Sequence, residues 1–187
     1  MSGWRENGPL AGEPPESAAR PCRVVTSDGT ALHAEVSGTP DAAVTVVPVH
    51  GWTQDHRTWD RVVDELPSGV RRVRYDLRGH GASEAAGPGT ATIDRLADDL
   101  ADVLAELAPD GRLVLAGHSM GGMTLLALAE RHPTIVDERV DGVALIATSS
   151  GDMGRVTLGL PGGLGRRAAA TERRLATALE SYRRDRL

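Results

Sequence analysis

The apolar positions of the chain fall into two periods, and they alternate along it in a regular order. "CRVVT" (22–26) and "ALHAEVSG" (31–38) alternate apolar and polar residues on either side of the turn "SDGT", which predicts a β-hairpin. "AAVTVVPVHG" (42–51) is apolar almost throughout, the pattern of a strand covered on both faces in a parallel sheet, with its end near His50. In "RTWDRVVDEL" (57–66), Trp59, Val62, Val63 and Leu66 recur at helical spacing, and "PSG" stops the helix before the next strand, "RRVRYDL" (71–77). A second helix places Ile93, Leu96, Leu100, Val103, Leu104 and Leu107 on one stripe and assigns Asp94, Asp98, Asp99 and Asp102 to a solvated face. A buried strand then ends at "RLVLAGHSMGG" (112–122), a helix runs from about Ser119 to Arg131, and "GVALIATS" (142–149) gives another strand. Strand and helix in such alternation predict an α/β fold with a mostly parallel sheet and helices on both faces.

The ends of the chain break this order. Residues 1–20 are rich in Pro, Gly and Glu with little to bury, which predicts a disordered tail. The α/β core is expected over residues 21–150. From 151 to 187 the glycine-rich "GDMGRVTLGLPGGLGRR" leads to a helix bearing Leu175, Leu179 and Tyr182, expected as the start of a cap or lid. No apolar run approaches the roughly 18 residues of a membrane span, and no apolar secretory segment opens the chain, so the expectation is a soluble, cytoplasmic protein with no membrane partner. A net charge of −5 and a pI near 5.7 argue against a nucleic-acid surface. Cys22 stands alone, so it forms no internal disulfide and is expected as a structural thiol. All 21 basic side chains are arginine.

Chemistry enters at three strand ends. Gly117-His118-Ser119-Met120-Gly121 is a G-x-S-x-G pattern set between a buried strand and a helix, the setting in which a serine is raised on a sharp turn. "PVHGWTQDHRTW" follows the central strand, and "DLRGHGAS" follows the next one. No GxGxxG loop or P-loop stands at a strand end, and neither a cofactor nor a metal is expected.

The order "HGW", "DLRGHGAS", "GHSMGG" resembles the α/β-hydrolase superfamily, especially its esterase and cofactor-free haloperoxidase-like branch. The likeness runs from about Arg23 to Ser150. It implies that Ser119 is the nucleophile and that the backbone N–H groups of Trp52 and Met120 form the oxyanion hole. It further implies a small-molecule ester-like acyl substrate and an acyl-enzyme.

In that family the triad runs serine, acid, histidine. After Ser119 the one histidine is His132, at a helix end beside Pro133, and Asp152 is the one candidate acid at a matching place. His33, His50, His56, His80 and His118 stand in structural or motif-less settings. The expectation is therefore the N-terminal portion of an α/β hydrolase, incomplete at its C-terminal end because such folds often exceed about 200–250 residues. Such a chain would show little turnover alone. A non-catalytic ligand- or partner-binding module and a perhydrolase-like enzyme are the alternatives. With later strands absent, "GVALIATS" becomes an edge open to self-association.

Overall fold

The hairpin forms because Asp28 and Gly29 make the turn it needs. Asp28 accepts from the Thr26 hydroxyl at 2.7 Å, and Gly29 stands at φ 88, where a side chain would strain the backbone. In the computed structural model, which describes residues 19–150, this turn joins β1 (Arg20–Val25) to β2 (Ala31–Gly38) in antiparallel register. β3 (Val44–Val49), β4 (Arg71–Tyr75), β5 (Arg112–His118) and β6 (Val140–Ile146) complete a six-stranded sheet of order β1-β2-β4-β3-β5-β6. β2 runs antiparallel to β4, and the β4-β3-β5-β6 portion is parallel. The β3–β4 ladder stops at Val46, before Pro48, which has no N–H to offer.

From β3 the chain moves to one side for β4 and then returns to the other side for β5. Loops leaving β3 and β5 at their C-terminal ends therefore diverge around a crevice, the place where open α/β sheets bind ligands.

The helices divide between the sheet faces. Val73 and Tyr75 of β4 join a buried cluster with Leu96, Leu100 and Leu104 of α2 (Ile93–Leu107) and with Leu125 and Leu128 of α3 (Met120–Arg131). Each such side chain contributes about 1.5–3 kcal/mol relative to exposure. Arg74 points to the opposite face and pairs with Asp60 of the short α1 (Asp60–Asp64). No helix among the described residues is long and apolar enough to cross a membrane.

Four expectations change. The helix anticipated at 57–66 is a 3-10 turn, His56–Trp59, followed by α1; Trp59 and Val63 are buried, but Val62 is 51% exposed because so short a helix buries a single stripe. A helix α4 (Pro133–Arg139), started by its proline, precedes β6 and was not anticipated. Asp99 is not on a solvated face. It is fully buried and receives Arg78 Nε and Nη2, both at 2.6 Å, while Arg78 also reaches Asp28 at 2.9 Å. Finally, Arg20, the last residue assigned to the tail, is the first of β1; residues 1–18 of that tail and the cap at 151–187 lie outside the described residues. The chain divides into units ending at Thr148 and beginning at Ser149, and the first holds every element above.

Candidate active site

β5 delivers the chain to Ser119 with no intervening loop, and α3 begins at the next residue. The reversal puts Ser119 at φ 51, ψ −114, a conformation that costs an L-residue about 1–3 kcal/mol. The surroundings hold it there. Ser119 N–H donates to Ile146 O at 2.9 Å, and Ser119 O accepts from Gly122 N–H at 3.0 Å and the Thr148 hydroxyl at 2.6 Å. Two glycines let the turn close this tightly: a Cβ at Gly121 would lie 2.2 Å from Val49 O, and one at Gly117 would lie 2.6 Å from Gly122 Cα. The Ser119 side chain is half-buried, and its hydroxyl makes no hydrogen bond among the described residues.

The loop after β3 packs directly on this turn. Gln54 Oε1 accepts from Gly51 N–H at 2.8 Å and from His118 Nδ1 at 3.0 Å, so one amide oxygen fastens the loop to the residue preceding Ser119. His50 is fully buried; its Nδ1–H donates to Gly51 O at 2.8 Å and its Nε2 accepts Leu77 N–H at 3.0 Å. That pattern defines a neutral imidazole, and burial, the largest influence, pushes its pKa below the ordinary value. Between these anchors Trp52 is 48% exposed, and Thr53 adopts φ 63. Neither Trp52 N–H nor Met120 N–H has an acceptor among the described residues, which leaves two backbone donors on adjoining segments.

The third strand end supplies a brace. Asp76, fully buried, accepts His56 N–H and His56 Nδ1–H at 2.8 Å on one oxygen and Ala82 N–H at 2.8 Å on the other. Burial raises the Asp76 pKa, but the hydrogen bonds from Ala82 and His56 outweigh it and hold the carboxyl below its ordinary range. This ties the loop carrying Trp52 to the loop carrying the "RGHG" turn.

All six histidines fall within the described residues, and none is hydrogen-bonded to Ser119. His80 Nδ1 pairs with Arg78 O at 3.0 Å, and His132 Nε2 pairs with Asp98 at 2.8 Å on the helical side. Asp152 lies outside the described residues. Sequence reasoning missed Gln54 and the His56–Asp76 pair, because each acts on a partner far along the chain. The available signals were a polar amide three residues beyond "HG" and a carboxylate closing the β4 strand.

The profile of the alpha/beta hydrolase fold family matches residues 44–182, and the chain belongs to that family. Among curated relatives, it is 35% identical over 119 residues to a pimeloyl-[acyl-carrier protein] methyl ester esterase of Nitrosomonas europaea, a match spanning 63% of this chain and 41% of that protein. It is 40% identical over 103 residues to a probable oxidoreductase of Mycobacterium tuberculosis, across 54% of this chain and 17% of that one. Among solved structures, a thermophilic esterase from Thermogutta terrifontis superposes with a TM-score of 0.61 at 31% identity, covering 75% of this chain and 53% of that chain. The chain thus spans less than half the length of these two curated relatives.

Proposed function

We propose that the site is that of a serine esterase, in which Ser119 attacks the carbonyl carbon of a small ester and Trp52 N–H and Met120 N–H hold the resulting oxyanion. The observation that carries this reading is Ser119 itself, held at φ 51 beside two N–H groups without acceptors among the described residues. Strain of this kind persists where surrounding structure imposes it, and it raises the hydroxyl clear of its own backbone. The esterase names of two similar proteins, one curated and one solved, support the same reaction class.

In the proposed sequence the Oγ proton passes to a base as the Oγ–C bond forms. The tetrahedral oxyanion collapses with expulsion of the alcohol, and water then releases the acyl group from Ser119. No histidine of the chain hydrogen-bonds Ser119, so both acylation and deacylation are slow in these 187 residues alone. A slowly formed adduct is then also slowly lost.

Peptide mapping after long incubation with excess p-nitrophenyl acetate tests the proposal. The chain has no lysine, which removes the commonest adventitious acceptor. Acetylation concentrated on the peptide bearing Ser119, and missing from Ser119→Ala, is the expected result. An unmodified Ser119 in a folded protein would instead favour a non-catalytic binding module.

A further inference from the structure

The geometry points to a divalent transition-metal site formed by His33, Glu35 and His56, on the sheet face that carries α1. It is separate from Ser119 and does not depend on the esterase reading. One donor atom from each residue can be chosen so that all lie within 4.8 Å of one another. His33 and Glu35 are two apart on β2, so the strand's period brings both to one face, and the 3-10 turn brings His56 to them.

The supporting contacts match what metal-binding imidazoles and carboxylates require. Asp76 Oδ1 accepts a hydrogen bond from His56 Nδ1–H at 2.8 Å and so turns Nε2 toward Glu35, with Nε2 3.5 Å from Oε1. A carboxylate behind a histidine fixes its tautomer and raises its basicity as a ligand. Glu35 is oriented likewise, because Arg74 Nη2 holds Oε2 at 2.8 Å and leaves Oε1 for the site. His33 has no hydrogen-bond partner for either ring nitrogen among the described residues, although the residue is half-buried; its ring centroid lies 5.1 Å from that of His56.

Two imidazole nitrogens and one carboxylate oxygen suit Zn²⁺ or Co²⁺, with a fourth position open to water. Bonds of about 2.0–2.1 Å would require the donors to draw in by rotation of the half-buried His33 and Glu35 side chains. The rival arrangement is a direct contact of the His56 ring with Asp76 on one side and Glu35 on the other, with no metal. Metal binding would replace the direct Nε2–Oε1 contact with two bonds to the ion. It would also tie β2 to the loop that begins at Trp52.

The test uses the untagged 187-residue chain, stripped with a chelator and titrated with Co²⁺. One equivalent should bind with intense visible d–d absorption, and Zn²⁺ should bleach it. His33→Ala breaks no side-chain hydrogen bond and should abolish the bands while leaving the circular dichroism spectrum unchanged; Glu35→Gln should weaken them. No stoichiometric binding would overturn the site in favour of the metal-free contact, and binding undiminished in folded His33→Ala would move the metal elsewhere.

Discussion

A serine at φ 51 and a tryptophan whose indole is half in solvent occupy adjoining turns, and the chemistry proposed for both is carried by atoms near the backbone. The role proposed for Trp52 is that of an N–H. With imidazole supplied in solution as base, Trp52→Leu should keep most of the Ser119-dependent ester hydrolysis. Trp52→Pro removes the donor and should lose roughly 10²-fold or more. Circular dichroism of both variants checks that the loop change leaves the fold intact. Equal losses would assign the work to the indole and withdraw Trp52 N–H from the oxyanion hole. Gln54 explains why the loop can be so exact with an exposed residue in it, since its single oxygen accepts from both Gly51 and His118.

β6 is paired on one side only among the described strands, and its Val143, Leu145 and Ile146 are 51%, 47% and 43% exposed. Open backbone groups beside apolar side chains favour edge-to-edge pairing with a second copy. Sedimentation velocity should show oligomers that grow with concentration, and Val143→Lys should reduce them; a monomer at every concentration would contradict this. The strand itself was legible from "GVALI", and so were the hairpin, β3 and α2, because each has a period long enough to register. α1 and α4 span one or two turns and leave little periodic signal. Asp99 misled for a different reason: a carboxylate at helical spacing reads as solvated unless its cation is known, and Arg78 arrives from a loop 21 positions earlier.

Across the molecule, what could be foreseen was the set of local motifs at three strand ends, since each is a strand, a turn and specific residues within a few positions. The crossing of the chain at β3 brings two of these ends together, and Asp76 with His56 braces the third against them. The pairs that make the site rigid, Gln54 with His118 and His56 with Asp76, join residues 64 and 20 positions apart, beyond the reach of any periodicity. The described residues present a strained serine and two N–H donors without acceptors among them, with no histidine bonded to the hydroxyl. Hydrolysis of p-nitrophenyl acetate by the chain and by Ser119→Ala, followed as imidazole is raised, tests whether Ser119 is the nucleophile. Without imidazole the two rates should be close. With it, the unsubstituted chain should gain a saturable rate that Ser119→Ala lacks, whereas a linear rise identical in both, the reaction of imidazole itself, would contradict Ser119 as the nucleophile.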